Sequence, residues 1–220
     1  MEKSLDQRIR IILIDDHPVV CEGLTTIINK MSDLEVCGCA SGHNEALFLL
    51  ERTNPHVALL DISLQDCDGM DLLRVIKSGF PNVAVVVLSV HDEQVYAARA
   101  IRAGASGYIM KKDADSAHII ATVREVARGN FGFSPSVQRR LFWGQSVPGE
   151  IKDHLHSLTD RELAVFRLLG RGATTEQIAG ILRISPKTVE THRMHIKTKL
   201  RVDSLNKLVE HAVSWQRRQL

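Results

Sequence analysis

No stretch of the chain approaches the about 18 consecutive apolar residues that a membrane-spanning helix needs, so no membrane segment is expected. Residues 1–8 have no apolar core of the signal-peptide kind, which sets aside secretion and points to a cytoplasmic location. Neither an internal repeat nor a low-complexity tract is visible, so solenoids and biased tails are excluded. Cysteine is scarce: Cys21, Cys37, Cys39 and Cys67 all lie in the first third of the chain. Their spacing is not CxxC and no His-rich partner motif follows, so small apolar packing is the expected role. A metal or redox pair at Cys37 and Cys39, which strand alternation would put on one face, is the alternative.

What is present is ordinary for a soluble globular protein: 220 residues, 44% hydrophobic and 25% charged. That length suits one large domain or two small ones. The net charge of +2 hides an asymmetry. Residues 1–130 hold 13 Lys+Arg against 18 Asp+Glu, whereas residues 151–220 hold 13 against 7. An acidic first part fits a bound cation, and a basic second part fits a polyanion.

The first part alternates short apolar runs with helical patterns. Strands are predicted at 9–14, 35–40, 57–60, 83–88 and 107–110, with helices near 19–31, 44–52, 70–77, 93–103 and 115–128. The run Val83-Ala84-Val85-Val86-Val87-Leu88 has the unbroken character of a buried parallel strand. Five βα units imply an α/β doubly wound parallel five-stranded sheet over residues 8–130. Turn chemistry from Gly129 to Pro135, and again from Gly144 to Gly149, predicts a linker over 131–154. Residues 155–220 show only helical periodicity, with helices at 160–170, 175–182, 186–199 and 204–216. Ser185 before Pro186 is an N-cap followed by proline at the first helical position.

In such sheets ligands bind outside the carboxyl ends of the strands. Those ends carry Asp15 and Asp16, Asp61, Ser89 and Lys111. A lone Asp at a strand end is usually a turn or cap residue, so the inference rests on the set. Asp15, Asp16 and Asp61 can supply oxygen ligands to one Mg2+. Asp61 can act as a nucleophilic carboxylate toward a phosphoryl group, which Lys111 and the Ser89 hydroxyl would hold. Asp66 and Asp68 fit a turn before Gly69 and are assigned no chemistry.

In the basic part, the tight turn Leu182-Arg183-Ile184-Ser185 joins two short helices, a helix-turn-helix arrangement. On the second of these, Val189, Ile196 and Leu200 form an inward stripe. Lys187, Glu190, Thr191 and Met194 share another face, flanked by Arg193, Lys197 and Lys199. The N-terminal part of such a helix reads base edges in the major groove, and cationic flanks grip phosphates. From charge alone a solvated basic face would be the plainer reading.

Two resemblances decide between these readings. Asp15-Asp16-His17-Pro18, Leu60-Asp61-Ile62 through Gly69-Met70, Leu88-Ser89-Val90-His91-Asp92 and Ala103-Gly104 through Lys111-Lys112 together resemble the receiver domain of a two-component response regulator, a flavodoxin-like fold. Leu158-Thr159-Asp160-Arg161-Glu162, Gly172 through Ala179, Leu182 through Ser185 and Thr188-Val189-Glu190-Thr191-His192 resemble a LuxR-type DNA-binding domain. The pair implies a regulator of the NarL/FixJ type, a transcription factor rather than an enzyme. By that resemblance Asp61 is the phosphoacceptor, fed by a sensor histidine kinase. Asp15, Asp16, Asp61 and the backbone carbonyl of Ser63 hold Mg2+, Ser89 and Tyr108 are the switch pair, and Lys111 pairs with phosphate. Lys187, Thr188, Glu190, Thr191, Arg193, Met194, Lys197 and Lys199 are the expected DNA contacts. Leu205, Val209 and Val213 on the last helix are the expected dimer contacts, with a homodimer on paired half-sites of double-stranded DNA when phosphorylated.

The chain departs from the family pattern in places. Leu64-Gln65 stand where the family often has Met-Pro, and acidic Glu176 where it often has a base. His91 flanks the site, with either a surface role or an effect on dephosphorylation. Phosphorylation is expected to draw in Ser89 and Lys111 and to let Tyr108 turn inward. A magnesium phosphoesterase and a constitutive DNA-binding module are the two alternative readings.

Overall fold

The computed structural model describes residues 8–91, 93–135, 137–139 and 154–217. They divide into two units, one holding the described residues up to 139 and the other those from 154 onward.

The first unit is built as β1 (Ile9–Ile14), α1 (Pro18–Ile28), β2 (Leu34–Ala40), α2 (His43–Thr53), β3 (Val57–Leu60), α3 (Gly69–Gly79), β4 (Ala84–Ser89), α4 (Glu93–Arg102), β5 (Gly107–Met110) and α5 (Ser116–Ala127). The strands form one sheet in the order β2-β1-β3-β4-β5, and each pairing is parallel. One face is closed by α1 and α5. Cys21, Leu24 and Ile28 from α1, and Ile119, Val123 and Val126 from α5, pack on Ile11, Leu13, Leu59, Val86 and Ile109. Alternate strand residues such as Ile12, Leu60, Val85 and Val87 are equally buried, so the opposite face is covered as well. Burial on both faces is why the central strands carry no polar alternation.

Two features of the sheet depart from sequence expectation. The β1–β2 register shifts between Ile11 and Ile12, leaving Cys37 without a partner in β1. Alternation is interrupted there, so Cys37 and Cys39 do not form the regular same-face pair that an unbroken strand would give. The uniform small-apolar role for cysteine also fails: Cys21 and Cys67 are buried, but Cys37 is half-buried and Cys39 exposed.

The segment from residue 131, expected to be linker, belongs to the first unit as far as residue 139. Gly132 donates to Ser106 and accepts from Tyr108 along β5. Phe133 and Val137 are buried, and the Ser134 hydroxyl donates to Glu93 at 2.8 Å. The remainder of the expected linker, 140–153, lies outside the described residues.

The second unit comprises α6 (Asp160–Gly170), α7 (Thr175–Leu182), α8 (Pro186–Lys199) and α9 (Leu205–Arg217), preceded by a short 3-10 turn at His154–Ser157. Thr159 with Glu162, and Thr174 with Gln177, form capping boxes that start α6 and α7. Arg183 ends α7 in the left-handed conformation (φ 52°). Ser185 then accepts from the Thr188 N–H to start α8, with Pro186 in its first turn. The turn is therefore set by local chemistry. Phe166 packs on Trp215 with centroids 5.7 Å apart. A Cβ at Gly170 would stand 2.6 Å from the Ala212 carbonyl oxygen, so glycine permits the close approach of α6 and α9 there.

Candidate functional site

The sheet register brings the expected strand-end residues together. Ile14 pairs with Leu60, and the Asp61 N–H donates to the Ile14 carbonyl at 2.8 Å. Asp15 and Asp61 thus leave neighbouring strands side by side. On the other flank Ser89 pairs with Met110, which delivers Lys111 to the same end. Lys111 Nζ sits 2.7 Å from Asp15 Oδ2 and 2.9 Å from Asp61 Oδ2. Gly69 opens α3 hard against the loop that follows Asp61. A Cβ there would meet the Ile62 Cα at 2.3 Å, so only glycine fits. Asp68 caps α3 through the Met70 N–H, whereas Asp66 accepts from the His43 N–H at the start of α2, a contact 23 residues away in sequence rather than a local turn bond.

Asp15 is 5% exposed and Asp61 3%. Burial pushes the Asp61 carboxyl above its usual range. Lys111 opposes that push, and the neighbouring Asp15 charge adds to it. For Lys111, burial disfavours the ammonium, but the Asp61 and Asp15 carboxylates outweigh it and the net direction is up. Ligand atoms of Asp15, Asp16, His17 and Asp61 lie within 4.8 Å of one another. Both Asp16 oxygens are buried and accept no hydrogen bond among the described residues, although His17 Nδ1 stands 3.0 Å from one of them. Three carboxylates crowded in this way are an environment that a divalent cation relieves. The donor set fits a hard, oxygen-seeking ion.

The switch residues are placed differently from expectation. Tyr108 is already turned inward, 2% exposed, with its hydroxyl donating to the His91 carbonyl at 2.8 Å. An outward ring waiting for phosphorylation is therefore not the state seen. The Ser89 hydroxyl is engaged locally and accepts from the His91 N–H at 3.0 Å. His91 itself is fully buried, which removes its surface role. Its ring stacks on Tyr96 with centroids 4.9 Å apart, and its Nε2 lies 3.0 Å from the Ser63 hydroxyl. The Ser63 N–H in turn donates to Asp61 Oδ1 at 2.8 Å. A chain of contacts thus runs from the acid through Ser63 and His91 to both tyrosines. The sequence signal for it was slight: one histidine near a strand end.

On α8, Val189 and Ile196 are buried, while Lys187, Thr191 and Met194 are exposed. Other expected contacts are committed within the unit. Arg193 donates to Glu190 at 2.8 Å and to Thr175 at 3.1 Å, and Thr175 also donates to Glu190. These contacts lock α7 onto α8. Lys199 is held 2.6 Å from the buried Glu162. Thr188 shares a hydroxyl contact with Ser185, and Lys197 is half-buried. Of the expected contacts on α8, Lys187, Thr191 and Met194 are the exposed ones, with the Thr191 hydroxyl donating to the Lys187 carbonyl at 3.1 Å. On α9, Leu208, Ala212 and Trp215 are core, whereas Leu205, Val209 and Val213 form a separate half-buried stripe.

Residues 11–124 match the response regulator receiver domain family, which spans more than half of the chain. The chain belongs to the response regulator family. Residues 156–212 match the family of bacterial regulatory proteins of the luxR type, which makes this response regulator one of the NarL/FixJ type. The transcriptional regulatory protein MctR of Rhizobium johnstonii is 32% identical over 206 residues, 94% of each chain. The oxygen regulatory protein NreC of Staphylococcus carnosus is 33% identical over 211 residues, 93% of this chain and 96% of its own. A solved structure of RcsB from Salmonella enterica serovar Typhimurium, bound to promoter rprA in the presence of a phosphomimetic, covers 94% of this response regulator and 99% of that chain. Its TM-score is 0.74 at 21% identity, a likeness of fold. Among the described residues no helix is long and apolar enough to cross a membrane.

Proposed function

We propose that this response regulator is a cytoplasmic transcription factor switched by Mg2+-dependent phosphorylation of Asp61. Phosphorylation favours a homodimer that binds paired half-sites in double-stranded DNA through α8. The observation that carries the reading is the placement of Asp61: nearly buried, crowded by Asp15, and within reach of the Lys111 ammonium.

The phosphoryl group comes from a phosphohistidine of a sensor kinase. An Asp61 oxygen attacks phosphorus as the P–N bond breaks, and the histidine nitrogen leaves with the electron pair. Asp15, Asp16, Asp61 and the Ser63 carbonyl would hold the cation, which would supply charge neutralisation at the phosphoryl oxygens when bound. Lys111 lies between two carboxylates and is positioned to trade one of them for a phosphoryl oxygen. The Ser89 hydroxyl would leave the His91 N–H to donate to another. With that bond released, the His91 carbonyl and the Tyr108 hydroxyl bonded to it shift along α4 and β5. Tyr108 acts by a change of partner, since it is already inside. The receiver catalyses only its own phosphoryl transfer and a slow hydrolysis of the aspartyl phosphate.

On α8, Lys187 and Thr191 are the leading DNA contacts, with Thr188, Glu190, Arg193, Met194, Lys197 and Lys199 supporting them directly or by holding the helix. Leu205, Val209 and Val213 form the dimer stripe. The test is to expose wild type and Asp61→Asn to acetyl phosphate with and without Mg2+. Phosphorylation, dimer fraction and affinity for a duplex selected from a random pool are then measured. A rise in all three, only for wild type with Mg2+, is expected. An equal gain in DNA affinity for Asp61→Asn would falsify the reading.

A further inference from the structure

Beside the phosphoacceptor site, two cysteines from different elements line one cavity. Cys39 pairs in register with Leu13, and Leu13 belongs, with Cys21, to the core face that α1 covers. Cys39 therefore faces α1. Thr25, one turn beyond Cys21 on that helix, has its hydroxyl 3.6 Å from Cys39 Sγ, which sets Cys39 against the part of α1 that carries Cys21. Both are also tied to Asp15. Cys21 Sγ donates to the Asp15 carbonyl at 3.5 Å, and the Asp15 N–H donates to the carbonyl of Ala40, the residue after Cys39, at 3.0 Å. Cys37 stands apart at the register shift, with its thiol 3.8 Å from the Glu35 carbonyl. The paired thiols differ in access: Cys39 is exposed and Cys21 buried. A cavity of about 620 Å³ is lined by both and by Asp15 and Asp16, so a small polar oxidant can reach the pair.

We propose that Cys21 and Cys39 form an oxidant-sensitive dithiol, a modification site at which hydrogen peroxide or an organic hydroperoxide closes an intramolecular disulfide joining α1 to β2. Cys39, the accessible thiol, reacts first. Its thiolate sulfur attacks one peroxide oxygen, the S–O bond forms and the O–O bond breaks. The second oxygen leaves as water, or as an alcohol, with the proton the thiol gave up. Cys21 sulfur then attacks the sulfenic sulfur of Cys39. The S–S bond forms, the S–O bond breaks, and the hydroxyl departs as water with the Cys21 proton. The two thiols lose two electrons and two protons together, and the peroxide takes them up. The bridge spans the turn that presents Asp15, Asp16 and His17. It is thus a chemical input to this domain separate from transfer to Asp61.

The test uses the full-length protein, first reduced, then treated with hydrogen peroxide and alkylated under denaturing conditions. Peptides are mapped by mass spectrometry before and after dithiothreitol. Wild type should lose two of its four alkylatable cysteines and yield one linked pair of peptides, carrying Cys21 and Cys39, that dithiothreitol separates. Cys39 is exposed, so Cys39→Ser should fold normally, give no link and leave Cys21 alkylatable. Cys37→Ser should leave the link intact. Full alkylation of Cys21 and Cys39 after peroxide, or a Cys39 bridge to Cys37 or to a second chain, overturns the proposal. The readout is covalent chemistry, so its failure would leave the phosphoacceptor reading untouched.

Discussion

Each domain buries a carboxylate against a lysine, and the two pairs have opposite characters. In the helical domain Glu162 lies 2.6 Å from Lys199 and also accepts from the Thr159 N–H at 2.7 Å. Burial pushes its carboxyl upward, but Lys199 and Thr159 together hold it below the usual glutamate value of 4.5. In the receiver Asp61 lies 2.9 Å from Lys111 but shares that lysine with Asp15. There burial prevails, and the carboxyl lies above the usual aspartate value of 3.8. A satisfied buried acid is a structural rivet. One crowded by a second acid is poised for chemistry. Each carboxylate accepts from one lysine and one backbone N–H; what distinguishes Asp61 is the Asp15 charge beside it, which also claims its lysine.

The largest effect that could break this contrast is at Asp61. Asp61→Asn should abolish labelling by acetyl phosphate while raising the receiver's melting temperature, because a crowded charge is removed. A lower melting temperature would make Asp61 a rivet too. Lys111→Ala should slow phosphorylation by about 10²-fold, the loss typical of removing one stabilising donor, as read from the rate of mass gain. Glu162→Ala should leave that rate unchanged and destabilise the helical domain by about 2–3 kcal/mol, the sum of a lost cap and a lost charge-assisted bond, measured by urea denaturation. Acid titration should separate the pairs. The Glu162 contribution is complete above 4.5 and lost as pH falls through its depressed folded value. The Asp61 contribution has the opposite sign: it favours the folded state below 3.8 and is lost as pH rises through its elevated folded value. The smallest effect is on α8. Lys187→Ala should lower the salt slope of DNA binding by about 1 with stability unchanged, whereas Lys199→Ala should mainly lower stability.

Much of the frame was legible because buried parallel strands read as unbroken apolar runs and because caps are local. Observed β3 and β5 coincide with residues 57–60 and 107–110, and α6, α7 and α8 with 160–170, 175–182 and 186–199. The strand-end acids, Ser89 and Lys111 follow from chain order, since parallel strands bring all their carboxyl ends to one edge. Contacts between distant residues were not legible. Nothing local marks His91 as buried between Ser63 and Tyr96, or Tyr108 as already turned in. Likewise, nothing in the spacing along α8 shows that Arg193 reaches Thr175 on α7, or that Lys199 answers Glu162 on α6. The register shift at Cys37 arises from pairing with β1, so strand alternation read along β2 alone missed it.

By itself, then, the sequence determined the elements, their order and the residues able to carry phosphoryl and DNA chemistry, because periodicity, capping and strand ends are encoded within a few residues. Tertiary structure decided which of those charged groups are spent inside the domains and which remain free. It also decided that Cys39 faces α1 while Cys37 stands at the register shift. Those outcomes depend on sheet register and helix packing, and on which charges crowd each buried carboxylate, quantities that exist only once distant segments meet.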